Sequence, residues 1–258
     1  MSKDLIAQRF VTDSDDMEFI LVSAVKKANP YRDGATGRFT TGGGGGAVTD
    51  GSSAVKAFEA KVDEAYGTGT EDEFTINHTG DESVAALGTY LATGHLINDN
   101  IRADKMDLDF TRGERRVSVQ ETVNGLDNAI EMAPPMPNQT VWRTTSADAV
   151  DKLVAGSTYT DRGYTSTTAV DITHPDNGLV LLSLSTVSSG RKTIMEIDTG
   201  DRGRGLYMPK MFPENPVSTH EREFLMPRGV KMTYLGAEPR FVGKSPTPLT
   251  VHKFKVVD

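Results

Sequence analysis

The chain has 258 residues and 27.9 kDa, 37% of them apolar and 25% charged, which is enough to bury a sizeable core and excludes whole-chain disorder. Its net charge of −8 argues against a dedicated nucleic-acid coat, and the absence of cysteine removes disulfide scaffolds, thiolate zinc sites and cysteine nucleophiles together. The N-terminal MSKDLIAQRFV lacks the unbroken apolar stretch of a secretion signal, and apolar stretches such as Leu179–Leu184 fall far short of the ~20 residues that span a membrane, so a soluble protein is expected.

Residues 17–25 read as a strand or a buried apolar segment. Asn29-Pro30, Asp33-Gly34 and Gly37 then break the chain, and the five glycines Gly42–Gly46 cost too much backbone entropy to sit inside a regular element. The sequence therefore predicts an N-terminal segment over 1–28, a glycine-rich linker over 29–52 and one domain over 53–258. No Gly-Lys-Ser/Thr follows the glycines, so they are not a phosphate loop. Val55, Phe58, Val62 and Tyr66 recur at helical spacing and predict a helix over 53–66. Val84, Leu87, Leu91 and Leu96 predict a second from about Asp81 to Ile97, and Val119, Val123, Leu126 and Ile130 a third, ended by Pro134-Pro135. Thr140–Arg143 reads as a strand, followed by a short helix capped by Ser146 and closed by Gly156. Strands are expected at 163–168, 193–198, 205–208, 221–227, 229–236 and 249–257, with 179–187 readable as either strand or helix. Helices first and strands later imply an α+β domain.

Charge is unevenly spread. From Ser189 onward, 12 Lys and Arg face 8 Asp and Glu, a net +4, whereas the preceding 188 residues hold 16 against 28, a net −12. A basic C-terminal third in an acidic protein points to an anionic ligand there. Metal motifs fail on inspection. His220-Glu221 opens a zincin helix only with a histidine at 224, where Phe224 stands, and Arg112 occupies the glycine position of a calcium loop starting at Asp107. With five scattered histidines, no metal is expected.

Three polar features remain. Arg143 lies in an otherwise uncharged strand; it reads either as a strand-end arginine reaching water or as a phosphate clamp, which the planar guanidinium suits better than lysine. Tyr164-Thr165-Ser166-Thr167-Thr168 is a hydroxyl-rich strand, a pattern that half-exposed strands also carry. Glu221-Arg222-Glu223 would place two carboxylates about 7 Å apart on one strand face, where they repel, unless this is an exposed polar edge.

Arg143, then Ser166-Thr167-Thr168, then Glu221-x-Glu223, in this order, resembles the arginine–serine–glutamate class of mono-ADP-ribosyltransferases, a bacterial exotoxin-like group. Val141-Trp142-Arg143 is similar to the family's aromatic-Arg strand, and Leu96-Ile97-Asn98 through Ile101-Arg102 to its helical Ile-Asn…Leu-Arg segment. Leu126-Asp127-Asn128-Ala129-Ile130 with Pro134, Pro135 and Pro137 resembles the helix and proline stretch before that strand. Glu223-Phe224-Leu225-Met226-Pro227-Arg228-Gly229 matches the run that carries the catalytic strand. The likeness covers roughly residues 54–236, with Thr168 where the family often has serine.

The resemblance implies two packed β-sheets around an NAD cleft, flanked by N-terminal helices, and NAD⁺ as substrate. It implies that Glu223 binds the ribose 2′-hydroxyl and stabilises an oxocarbenium-like transition state, which needs fixed negative charge. Glu221 would orient an arginine acceptor on a target protein and help remove its proton, and Ser166 would hold Glu223. Arg143 would clamp the diphosphate, with Thr144 and Thr167 in the NAD-binding set and Arg191 or Lys192 as a further phosphate contact. The loop between Tyr207 and His220 would recognise the acceptor, with Phe212 either lying against a partner or, the favoured reading, packing within the loop. Asn29 through Phe39 resembles segments of phage head-morphogenesis proteins, which implies capsid association and delivery of a toxin or effector into a target cell. Two other readings stay open: an NAD⁺ glycohydrolase, and a non-catalytic virion structural module.

Overall fold

The computed structural model describes residues 7–11, 18–22, 53–67, 80–112, 115–174, 192–213, 221–241 and 247–257. The chain divides into two compact units, Met1–Ala47 and Val48–Asp258. In the first, β1 (Ala7–Val11) pairs antiparallel with β2 (Glu18–Val22), Phe10 opposite Phe19. The sequence reading found the second strand and missed the first. The linker expected over 29–52 and the ambiguous 179–187 segment lie outside the described residues.

Among the described residues, the second unit holds three longer helices, α1 (Ser53–Tyr66), α2 (Gly80–Arg102) and α3 (Val119–Met132), all at predicted places, with α2 running five residues past Ile97. Between α2 and α3 lies a hairpin, β3 (Asp109–Arg112) and β4 (Arg115–Ser118), that the sequence did not announce. The Ser118 hydroxyl ends the hairpin by accepting from the Glu121 N–H, which caps α3. The helices α2 and α3 cross closely because residue 125 is glycine; a Cβ there would lie 2.5 Å from the Ala86 Cβ.

Then come β5 (Thr140–Ser146), the one-turn α4 (Ala147–Val150), β6 (Thr158–Thr160), β7 (Tyr164–Thr168), β8 (Lys192–Asp198) and β9 (Leu206–Tyr207). The one-turn α5 (Met208–Met211), β10 (Glu223–Arg228), β11 (Lys231–Arg240) and β12 (Leu249–Val256) complete the chain. Ser146 occupies the cap position of α4, but its side chain makes no capping bond, and Gly156 (φ +89°) serves a later turn instead of closing the helix. The helix is a single turn, so little is there to cap.

Hydrogen bonding links eight strands in the order β6-β11-β12-β8-β5-β7-β10-β9. The joint between β5 and β7 is a single pair, Trp142 with Thr168, so a five-strand block and a three-strand block meet there. Two cores flank the three-strand block. Leu225 packs with Leu87, Ile97, Leu126 and Tyr164 beneath α2 and α3, while Phe224 and Met226 pack with Phe58, Val62, Met195 and Phe254 on the α1 side. Burial on both faces explains why Phe224-Leu225-Met226 reads as a continuous apolar run. Among the described residues no helix is long and apolar enough to cross a membrane.

Candidate active site

Strands β7 and β10 run antiparallel with Thr168 opposite Glu223 and Ser166 opposite Leu225. Ser166 and Glu223 are therefore diagonal cross-strand neighbours, and the Ser166 hydroxyl donates to Glu223 Oε1 at 2.5 Å. The neighbouring hydroxyls hold the strand itself: Thr167 Oγ1 donates to the Phe224 carbonyl and Thr168 Oγ1 to the Glu221 carbonyl, both at 2.6 Å. Thr165, Thr167 and Thr168 are buried, so this is an internal strand and not the half-exposed one its composition also allowed.

Glu223 is only 7% exposed. Burial pushes its carboxyl above the ordinary carboxylate range, and the Ser166 bond opposes that shift. Glu221 is half-buried, and its pKa is pushed up to about 8, first by burial and then by the charge of Glu223. The two carboxylates do share one neighbourhood, but the strand argument is corrected. Strand β10 begins at Glu223, and Arg222 sits at φ +46°, so a left-handed turn and not an i, i+2 strand spacing sets Glu221 beside Glu223.

Arg143 stands mid-strand in β5, partly buried, which removes the reading of a strand-end arginine reaching water. Its Nη1 donates to Asp161 Oδ2 at 3.0 Å. Arg102, at the end of α2, donates to both oxygens of Asp161 at 3.1 Å. Asp161 is buried, so one carboxylate draws two guanidinium groups from different elements together. The Arg143 Nε is buried without a hydrogen-bond partner among the described residues. An oxyanion would satisfy it.

Asn98 ties α2 to the start of β7: it accepts from the Tyr164 N–H at 2.8 Å and donates to the Tyr164 carbonyl at 3.2 Å and to the Tyr90 hydroxyl at 2.9 Å. Residue 163 is glycine because a Cβ there would meet Asn98 Oδ1 at 2.7 Å. The Tyr90 phenol is pushed up by burial first and then by the charge of Glu223, while Arg143 and Arg102 pull it down. The far end of β10 is fixed by Arg228, which grips Asp127 of α3, and Asp127 also accepts from the Tyr164 hydroxyl at 2.7 Å.

Of the residues expected from sequence, the structure sets Ser166 on Glu223, with Glu221 close enough for the Glu223 charge to act on it, and sets Arg143 on Asp161. Thr144 is buried, and strand alternation turns its side chain to the face opposite Arg143. Thr167 likewise faces away from Ser166. Arg191 and residues 214–220 of the acceptor loop lie outside the described residues. Phe212 packs, partly buried, against the helical core. Sequence reasoning missed Asp161 and Tyr90 and gave Arg102 no role; the Asp-x-Gly spacing of Asp161 to Gly163 was the available signal for the first. Among the described residues no group of three or more His, Asp or Glu side chains is arranged to hold a metal ion.

The family model for the ADP-ribosyltransferase exoenzyme matches residues 63–247. Among solved structures, the fold is similar to the ADP-ribosyltransferase Vis of Vibrio splendidus in complex with agmatine, at 16% identity and TM-score 0.54 over 80% of this chain and 85% of that one. It is also similar to Plx2a, an ADP-ribosyltransferase toxin from Paenibacillus larvae, at 15% identity and TM-score 0.54 over 79% of this chain and 96% of that one. The C3 exoenzyme of Clostridium limosum aligns at 13% identity and TM-score 0.52 over 79% of this chain and 95% of that one. No curated protein sequence matches this chain.

Proposed function

This chain belongs to the ADP-ribosyltransferase exoenzyme family, and from that membership we propose that it moves ADP-ribose from NAD⁺ to an arginine side chain of a target protein, as a toxin acting inside another cell. The observation that carries the arginine reading is the second carboxylate. Glu221 stands close to Glu223 and is half-buried, so an approaching guanidinium would find two carboxyl groups in a partly desolvated site, the second becoming an anion as pH rises toward about 8 or as the cation itself draws its proton off. That the related fold of Vis is described with agmatine, itself a guanidine, supports the same choice. Delivery by a phage particle rests on the 29–39 resemblance alone.

In this reading the glycosidic bond between nicotinamide and ribose breaks and ADP-ribose passes to a guanidinium nitrogen, which loses a proton. Glu223, held by Ser166, supplies negative charge to the cationic ribose as nicotinamide leaves. Glu221 orients the acceptor and takes its proton. Arg143 and Arg102, drawn together on Asp161, receive the diphosphate.

The test is an incubation of the protein with NAD⁺ and a small guanidine compound, following nicotinamide release and the ADP-ribosylated product. Guanidine-dependent product is expected; nicotinamide release with no guanidine product would leave a glycohydrolase and overturn the arginine reading. A second result is expected from Arg143→Lys, which keeps the charge and loses the fork. Losing a charge-assisted hydrogen bond of about 1.5–3 kcal/mol corresponds to a roughly ten- to hundredfold weaker NAD⁺ affinity. Titration calorimetry reads it, and an unchanged Kd would make Arg143 a structural residue.

A further inference from the structure

Arg222 is one of the few described non-glycine residues with positive φ, at +46°, and it lies between the two carboxylates. Such a conformation costs a non-glycine residue on the order of 1–3 kcal/mol and persists only where its surroundings impose it. Two of its contacts reach neighbouring elements among the described residues. Its carbonyl accepts from the Ala169 N–H at 3.1 Å, just past the end of β7. Its side chain is pinned by helix α1: Arg222 Nε donates to Glu59 Oε1 at 2.9 Å, and the Tyr207 hydroxyl donates to the same oxygen at 3.0 Å.

The attachment continues through the neighbouring residue. Phe58 packs against Tyr207 at 5.5 Å between ring centroids and edge-on against Phe224 at 5.7 Å, and Phe224 directly follows Glu223. One turn of α1 therefore grips both the left-handed residue and the strands beside it. Glu59 and Phe58 both precede the 63–247 stretch that matches the family model. The grip is thus supplied by residues of this chain ahead of that stretch.

We propose that Glu59 is a positioning residue for the transfer reaction: acting through Arg222, it holds the left-handed turn that sets Glu221 against Glu223. This rests on the functional reading above for its consequence, but not for its test. Replacing Glu59 with alanine removes the anchor at a partly exposed helix position, where alanine is a good helix former and the fold survives. The turn is then free to relax, and Glu221 moves toward water and away from Glu223.

The experiment follows the Glu221 carboxyl by carbon-13 NMR across pH, with Glu221→Gln assigning the signal. Among the described residues, Glu223 acts on the Glu221 carboxyl directly, and the neighbouring charged pair is Arg222 with Glu59, with Tyr207 on the same Glu59 oxygen. In Glu59→Ala the Glu221 midpoint is expected to fall by at least one pH unit. Adding Arg222→Gly, which adopts positive φ without cost, should return at least half of that shift. In the enzymatic assay, Glu59→Ala should lower kcat for guanidine transfer about tenfold while KM for NAD⁺ stays within twofold, and the glycine should recover part of the loss. An unchanged Glu221 midpoint, or a shift that the glycine leaves uncorrected, overturns the proposal. Wild-type protein that modifies no guanidine overturns the arginine reading instead, and the NMR result stands apart from it.

Discussion

Glu223→Gln is expected to reduce nicotinamide release by about 10²–10³-fold, or roughly 3–4 kcal/mol of transition-state stabilisation, without unfolding the protein. Glutamine keeps the size of the side chain and still accepts from the Ser166 hydroxyl, which sits 2.5 Å from Glu223 Oε1. It removes only the charge that faces the cationic ribose. Removing a buried charge whose carboxyl is already pushed up by desolvation should leave stability unchanged or raise it. Paired measurements of turnover and thermal melting check this. Near wild-type turnover would remove the central catalytic assignment, and a collapsed melting transition would show that Glu223 is structural.

Glu221→Gln should separate two activities that Glu223→Gln abolishes together. Transfer to a guanidine acceptor is expected to fall by about 10²-fold, the lower range for losing a positioned general base, while hydrolysis of NAD⁺ by water is largely spared. Water needs no anionic partner to orient it, whereas a guanidinium must be held and deprotonated. The same residue fixes the pH dependence. With its pKa pushed up to about 8, Glu221 is mostly protonated at neutral pH and becomes an anion as pH rises through that value. Wild-type transfer should therefore climb toward a plateau above pH 8, and this rise should vanish in Glu221→Gln. Stability should move the other way. A carboxyl raised in the folded state holds its proton longer there than in the unfolded chain, so folding weakens as pH rises from the ordinary carboxylate range to about 8. Equal loss of both activities in the mutant would assign Glu221 to NAD⁺ cleavage itself.

Local pattern alone carried much of this protein. The apolar spacing of Val55, Phe58 and Val62 fixed α1, because one buried face is enough to specify an amphipathic helix. The runs Tyr164–Thr168 and Glu223–Arg228 fixed two adjacent strands, and the order of Arg143, Ser166 and Glu223 carried the resemblance to the family that the chain belongs to. The tertiary structure decided what distant residues do to one another. The charge of Asp161 is visible in the sequence, but not that it draws in Arg102 from 59 positions away and Arg143 from 18. Nor does any spacing rule announce a left-handed Arg222, since that conformation is imposed by Glu59 from 163 residues upstream. A strand period assigns both carboxylates to one face; only the packing of α1 against β10 determines how they actually meet, because backbone strain is held by contacts that local sequence does not encode.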